Sequence, residues 1–365
     1  MEDDRKTELL SLDIDELEDF MQSVGQPRYR GRQVFKWIYH KGVSSFYEMS
    51  DIPKRFRYEL DEIAKISIPR VLKQRVSSDG TRKFLLELED KKRIETVIIP
   101  HNNNDKNTSY TLCISTQVGC PVGCSFCATG ASGFQRNLRA FEIVGQYLGS
   151  VRELKKKLRK ISSDQQLITN VVYMGMGEPL LNYNETIESI RVLNNPRGIN
   201  LGQRHITIST CGEIPGIKRL AREPLQVTLA ISLHASNNHL RSQIIPLNRK
   251  YPLEDLMEAV SYYISLTNRR VTFEYVLLDG INTSAEDAQN LVKLVKPLLC
   301  NVNLIPYNEV EGLGYKKPSN QTALQFFDQL SEAGINVTFR QEKGADIEAA
   351  CGQLRLESKG IRGRQ

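Results

Sequence analysis

Thr111-Leu112-Cys113-Ile114-Ser115, followed by Gly119-Cys120-Pro121-Val122-Gly123-Cys124-Ser125-Phe126-Cys127, is the stretch on which the reading of this chain turns. Its first five residues read as a β-strand. Gly119, Pro121 and Gly123 then break regular structure, so the cysteines spaced C-x3-C-x2-C stand on a loop. Three thiolates this close can ligate one metal centre without help from distant chain. Structural zinc usually wants four ligands, whereas three ligands on one loop leave a position open, which suits a four-iron cluster with a reactive corner iron. A zinc knuckle completed by Cys113 or a histidine is the alternative.

Outward from this loop, strand-like segments at 111–115, 169–174, 205–209, 227–233, 271–277 and 301–305, with a seventh near 335–340, alternate with helical patterns such as Leu253 to Ile264 and Ala285 to Val295. Repeated βα units predict a parallel sheet, either doubly wound or rolled into a full or partial barrel. The cysteine loop falls at the C-terminal end of the first strand, where active sites of such folds lie. Gly175-Met176-Gly177-Glu178-Pro179 follows the second strand in the same way. Its glycines let backbone approach a ligand, and its carboxylate can accept hydrogen bonds from an ammonium group.

Ahead of the cysteine loop, the first 100 residues read as a smaller unit. Leu17, Phe20, Met21 and Val24 predict one amphipathic helix; Val34, Trp37 and Ile38, stopping at Gly42, a second; Phe56, Leu60 and Ile63 a third. Asp79-Gly80 joins Val71–Val76 to Phe84–Leu88 as a β-hairpin, and Ile94–Ile99 is one more strand, closed by Pro100. The polar run His101 to Asn107 is a linker.

Among 365 residues, 40% are hydrophobic and 25% charged, with no window approaching an uncharged membrane span. The charged N-terminus has no apolar region of an export signal, so a cytoplasmic location is expected. Nine acids stand against Arg5 and Lys6 in residues 1–20, so the rest carries more positive charge than the total of +6, which favours a polyanionic partner. Arg28, Arg30, Arg32 and Lys36, beside Tyr29 and Trp37, suit phosphate contact with base stacking. Lys155, Lys156, Lys157, Arg159 and Lys160 form a second basic block; either set can equally be a solvated face. Seven cysteines, an odd count, argue against a disulfide framework. Cys211 and Cys300 read as small buried apolar residues. Cys351, followed by Gly352 in an otherwise polar tail, reads as an unhindered thiol.

Three further stretches complete the pattern: Gly133-Phe134-Gln135-Arg136-Asn137-Leu138, Ser232-Leu233-His234, and Asp346-Ile347-Glu348-Ala349-Ala350-Cys351-Gly352-Gln353-Leu354. The cysteine loop resembles that of the radical S-adenosylmethionine (SAM) enzymes. The whole set resembles the RlmN family of RNA methyltransferases along essentially the entire chain. The related Cfr family shares most of these motifs but tends to a non-proline where Pro179 stands. Glu348 stands where Asp is common, and Gln341 to Ala345 diverges.

The resemblance implies an α/β fold: a partial (β/α) barrel of radical SAM type over residues 101–345, a small α+β accessory domain over 1–100 that positions RNA, and a tail, 346–365, carrying the methyl-accepting cysteine. It implies one [4Fe–4S] cluster on Cys120, Cys124 and Cys127, and SAM, two per turnover, held by Gly177, Glu178, Ser209, Ser232, Leu233, His234 and Asn308. Cys351 would take a methyl group from one SAM. A 5′-deoxyadenosyl radical from the second would activate it for addition to carbon 2 of adenine. Glu95 would then remove the carbon-2 proton, and Cys113 would release product by attacking the Cys351 sulfur. Without the resemblance, Glu95 reads as a solvent-facing residue of an alternating strand and His234 as a satisfied structural histidine. The implied partners are 23S rRNA, tRNA and an electron donor such as flavodoxin or ferredoxin, with a monomeric protein and no membrane. The rival readings are Cfr-like methylation of carbon 8 and an RNA-binding iron–sulfur protein without methyl transfer.

Overall fold

The computed structural model describes residues 6–101, 109–157 and 166–355. Most of the polar run, Arg159, Lys160, the Lys157 side chain and the tail beyond 355 lie outside the described residues.

Near the N-terminus, β1 (Thr7–Glu8) pairs in parallel with β2 (Ala64–Lys65), bracketing α1 (Ile14–Ser23), α2 (Tyr29–Lys36) and α3 (Lys54–Ile63). Asp13 starts α1 with a reciprocal cap: its carboxylate accepts the Glu16 N–H, and Glu16 accepts the Asp13 N–H, each at 2.8 Å. α1 and α2 cross so closely that a Cβ on Gly31 would lie 2.6 Å from the Glu18 nitrogen. A π-helical turn, Trp37–Lys41, carries the second helix on from Lys36, and it stops at Gly42 as expected, in the left-handed conformation, φ +70°.

Among the described residues, ten strands form one sheet. β3 (Arg70–Val76), β4 (Arg82–Glu87) and β5 (Arg93–His101) are antiparallel, and β5 pairs antiparallel with β6 (Ser109–Cys113). A short ribbon, β7 (Gln117–Gly119) with β8 (Phe134–Asn137), precedes β9 (Ile168–Tyr173), which lies parallel to β6. β10 (Ile206–Thr210), β11 (Thr228–Ser232), β12 (Val271–Leu277), β13 (Cys300–Pro306) and β14 (Val337–Phe339) continue in parallel. The helices in the intervals include α4 (Ala128–Ala131), α5 (Ala140–Lys157), α6 (Tyr183–Asn194), α7 (Ile214–Leu220), α8 (Asn238–Ile244), α9 (Leu253–Thr267), α10 (Ala285–Val295) and α11 (Asn320–Glu332).

The seven parallel strands stand in the sheet in chain order, with no reversal. A doubly wound sheet reverses at a switch point, whereas successive right-handed crossovers in one direction curl a sheet into a barrel. β3 and β14 end the order without pairing to each other, so the barrel is partial. This is the expected α/β fold.

Two expectations need correction. The hairpin and the strand after it, read as part of a separate N-terminal unit, hydrogen-bond into the core sheet through β5 and β6. Nor does Pro100 close its strand, which runs to His101 with Pro100 opposite Tyr110. Tyr110 sends its N–H to Leu167 at 3.0 Å, away from Pro100. The proline therefore sits at a non-hydrogen-bonded pair, where a missing N–H costs no ladder bond. The β7–β8 ribbon, with strands of three and four residues, is too short for periodicity to reveal.

Candidate active site

The cysteine loop is shaped by close backbone approach. Gly119, at φ +80°, lies so near β8 that a Cβ would fall 1.8 Å from the Gly133 carbonyl oxygen. Cys120, Cys124 and Cys127 line a cavity of about 140 Å³ together with Gly177, Glu178, Ser209, Ser232, His234 and Asn308. Cys211 lines it too, its sulfur 3.8 Å from that of Cys124. The reading of Cys211 as a plain buried apolar residue is thus corrected. Its place directly after β10, at a strand C-terminus, was the available signal. Cys300 sits at the opposite end of its strand, where its sulfur donates to the Val295 carbonyl at 3.4 Å. Burial pushes the Cys120 and Cys127 thiols above their ordinary range. Metal coordination deprotonates such thiols outright, so the donor set fits an iron–sulfur cluster. Cys113, one of the two candidates for the fourth ligand of a zinc knuckle, lines a different cavity; the other, a histidine, is represented in the first cavity by His234, whose Nδ1 is taken by the Val276 N–H.

The Gly-Met-Gly-Glu-Pro turn follows β9. A Cβ on Gly175 would lie 2.6 Å from the Ile114 carbonyl oxygen, and one on Gly177, at φ +107°, 2.7 Å from the Gln117 side chain. These glycines are therefore demanded by packing against the β6–β7 connection, besides facing the cavity. The Glu178 carboxylate accepts the Cys211 N–H at 2.7 Å and the Leu180 N–H at 3.1 Å. The Thr210 hydroxyl also bonds this carboxylate. Burial is the main force raising Glu178 to about 7, against the N–H bonds that lower it.

Ser209 and Ser232 hydroxyls stand 3.3 Å apart at neighbouring strand ends. Leu233 departs from expectation: its side chain is in the core, and its N–H and carbonyl bond Glu274 and Arg241 at 3.0 Å each. It shapes the loop without lining the cavity. The fully buried Arg241 also holds the Cys211 carbonyl at 2.7 Å and the Ser232 carbonyl at 3.2 Å, tying two strand ends together. Asn308 turns a buried Oδ1 without a partner toward this region, as a ligand-binding amide would.

His234 is both a cavity wall and a satisfied histidine. Its Nδ1 accepts the Val276 N–H at 3.0 Å, which assigns the ring proton to Nε2. Burial first, then Arg241, pushes it down to about 3. The unfolded chain takes up that proton near pH 6.5, so His234 costs stability as pH falls from about 6.5 toward 3. His234→Asn, whose Oδ1 can accept the same N–H, should remove about 1 kcal/mol of the stability lost between pH 7 and 5.5. Urea midpoints at the two pH values measure this, and parallel losses in variant and parent would contradict it.

The C-terminal segment folds back over the barrel mouth. The Gly352 carbonyl accepts the Ala128 N–H at 2.8 Å, just past the cysteine loop, and Leu354 accepts from the Thr129 hydroxyl. On the other flank, the Glu348 carbonyl accepts from Lys83 at 2.9 Å. Cys351 thereby lines the first cavity and also a second of about 640 Å³ that contains Cys113. Met174, Ile305, Asn308, Arg340 and Cys351 are common to both. The two thiols are thus brought to one place. Burial, with Cys351 adding to it, raises the Cys113 thiol to about 12.

Glu95 is buried rather than solvent-facing. Its carboxylate pairs with Lys83 at 3.1 Å and accepts the Arg355 N–H at 3.0 Å, so the tail covers it. Burial, the first cause, raises its pKa, and Lys83 opposes that. It is not part of either cavity's lining.

The basic face of α2 is weaker than its sequence. Arg28 pairs with Asp19 at 2.5 Å and Glu18 at 3.2 Å, and Arg32 with Glu18, so α1 neutralises two of four cations. Tyr29 stays half exposed, and Lys41 lies 4.3 Å above the Trp37 ring. Lys156 pairs with Glu153 at 2.6 Å.

Residues 114–295 match the radical SAM superfamily, and residues 7–66 match the ribosomal RNA large subunit methyltransferase N-terminal domain. The chain is 64% identical over 352 residues to the probable dual-specificity RNA methyltransferase RlmN of Syntrophomonas wolfei, covering 96% of this chain and 98% of the relative. It is 48% identical to the corresponding protein of Dictyoglomus turgidum, with 96% and 98% covered. A radical SAM methyltransferase structure from Sphaerobacter thermophilus superposes with a TM-score of 0.90 at 43% identity, covering 96% of this chain and all of that one. Among the described residues, no helix is long and apolar enough to cross a membrane. Membership of the superfamily brings a [4Fe–4S] cluster and SAM, which the cavity's thiols and polar groups fit. With fold, N-terminal domain and full-length identity in agreement, this chain belongs to the RlmN family of radical SAM RNA methyltransferases.

Proposed function

We propose that this chain methylates carbon 2 of adenosine, in 23S rRNA at the peptidyl transferase centre and in tRNA at the adenosine 3′ of the anticodon. One observation carries the reading: Cys351 lines both cavities, so one sulfur can accept a methyl group in the first and deliver it in the second. The cluster, held by Cys120, Cys124 and Cys127, and SAM supply the methyl group and the radical that activates it when bound.

The chain's own residues do the rest. Gly177, Glu178, Ser209, Ser232, His234 and Asn308 hold SAM, with Leu233 setting the loop. Glu178 accepts the α-ammonium group. Once the methylene carbon of Cys351 is bonded to adenine carbon 2, Glu95 removes the carbon-2 proton, and the adduct's one odd electron would return to the cluster, leaving a closed-shell thioether bridge; burial raises the Glu95 pKa, which favours a base over a spectator carboxylate. The Arg355 N–H must first release its oxygen. The Cys113 thiolate then bonds to the Cys351 sulfur. The sulfur–methylene bond breaks with its electron pair on carbon, which takes a proton to become the methyl group. The resulting disulfide is reduced by two electrons before the next turnover.

In this reading the N-terminal segment 7–66 positions RNA, the partial barrel binds the cofactors and the tail 346–365 carries the methyl. The protein acts as a cytoplasmic monomer, with flavodoxin or ferredoxin as electron donor. Mass spectrometry of nucleosides from cells lacking and regaining the gene tests it. The expected result is 2-methyladenosine in rRNA and tRNA only when the gene is present. Gain of 8-methyladenosine would assign the Cfr-like reaction, and no methylated adenosine at all would leave an RNA-binding iron–sulfur protein.

A further inference from the structure

Lys83 stands near the start of β4, its side chain only 6% exposed beneath the returning tail. Its ammonium group makes two contacts. It lies 3.1 Å from Glu95 Oε1, and it donates to the Glu348 carbonyl at 2.9 Å, three residues ahead of Cys351. The second carboxylate oxygen of Glu95, Oε2, accepts the Arg355 N–H at 3.0 Å. The remaining ionisable groups around this pair belong to the neighbouring strands and the tail. The Glu348 carboxylate is taken by Arg75 of β3 at 3.2 Å and by the Arg355 guanidinium at 2.9 Å. Cys113 stands on β6 opposite Val97, two residues along β5 from Glu95. An ammonium group this buried costs stability unless it is paired, and an apolar pair of similar volume often serves a fold as well. The reason for this ion pair therefore lies outside packing.

We propose that Lys83 is a positioning residue for the proton-transfer step: it holds Glu95 as a carboxylate through Oε1 and ties it to the tail that carries Cys351, leaving Oε2 to take the carbon-2 proton. The proposal rests on Glu95 as the base. The two oxygens have different parts. Oε1 is held by a donor rooted in a strand, whereas Oε2 is covered by a backbone N–H of the tail, which can give way. When it does, the carbon-2 proton passes to Oε2, the C–H electron pair stays with the ring, and Lys83 keeps its own proton throughout. Burial by itself favours the neutral carboxyl, which is no base, and a cation at 3.1 Å opposes that. The second contact makes the arrangement depend on the tail. The donor that keeps Glu95 ionised also fixes the Glu348 carbonyl, so one side chain sets both the base and the methyl carrier.

The test reads the proton directly. RNA bearing tritium at carbon 2 of the target adenosine is turned over with SAM and reductant by cluster-loaded wild type, Lys83→Gln and Lys83→Met at pH 7 and pH 9. Release of tritium to water is timed beside the protein–RNA band on a denaturing gel. Glutamine keeps a donor without the charge; methionine fills the space of the lysine stem with neither, so one variant serves if the other does not fold. Both should form the adduct yet release tritium on the order of tenfold more slowly than wild type at pH 7, closing to within about threefold at pH 9, where the unpaired carboxyl ionises. Wild-type release, or a deficit of the same size at both pH values, would overturn the role of Lys83. So would loss of the adduct with faster hydrogen exchange over residues 344–355, measured without RNA, which would make Lys83 an anchor of the tail and nothing more. Glu95→Gln checks the base separately. Wild-type tritium release from that variant refutes Glu95 as base, whatever the lysine variants show, whereas slow release from it beside an unaffected Lys83→Gln strikes the lysine and spares the base.

Discussion

Cys120→Ala, Cys124→Ala and Cys127→Ala will each abolish the brown iron–sulfur chromophore and all reductive cleavage of SAM, whereas Cys113→Ala and Cys211→Ala will keep the chromophore. The trio stands on one loop with glycines at φ +80° and +69° between and before its members. Losing one thiol leaves two, too few to retain a four-iron cluster with a free corner. Cys113 belongs to the second cavity, so its loss removes no ligand. Cys211 is the stringent control, because its sulfur lies 3.8 Å from Cys124 and it lines the same cavity as the trio. Its bond to Glu178 is made by the backbone N–H, which Cys211→Ala keeps, so that variant should leave Glu178 oriented and iron intact. Iron and sulfide analysis with visible spectra reads all five variants. Iron loss in Cys113→Ala would make that residue a ligand and end the two-thiol mechanism. Iron loss in Cys211→Ala, with one member of the trio dispensable, would reassign the ligand set.

Cys113→Ala will accumulate a covalent protein–RNA complex through Cys351, and Cys351→Ala will form none. Cys351 must carry the methyl group before any bond to RNA exists, so its removal prevents the adduct outright. Cys113 acts after the bridge forms; its thiol is buried and pushed up to about 12. Glu95→Gln should also retain adduct, since the carbon-2 proton has no base to receive it, although water can partly substitute. All three variants should bind RNA with unchanged salt dependence, because none of them contributes a phosphate contact. A denaturing gel after turnover with SAM and reductant shows the retarded band. Its absence from Cys113→Ala, beside an active wild type, would refute this order of the two thiols.

The parallel strands were legible because buried βα units write near-continuous apolar runs between turn residues. The predicted strand 271–277 and helix 285–295 match the structure to the residue. The cysteine trio and the Gly-Met-Gly-Glu-Pro turn were legible for another reason: each site is made by residues adjacent in the chain, so spacing carries its geometry.

What the sequence determined by itself is therefore local: which segments pair, where strands end, and which loop can hold iron. The tertiary structure alone decided the rest. Sequential strand order curled the sheet into a partial barrel instead of winding it both ways. Glu95 became buried because Lys83 on the adjacent strand and the returning tail at Arg355 cover it, neither contact having a signature in a period of two. Leu233 turned into the core while its neighbours lined the cavity, since one loop cannot point three consecutive side chains the same way. Arg28 and Arg32 met the acids of α1, so charge counted along the chain overstated charge on the surface. The meeting of Cys113 and Cys351 is of this second kind. It depends on a tail that closes a barrel mouth through hydrogen bonds to distant chain, and such contacts are set by the folded surface, not by the pattern of any one segment.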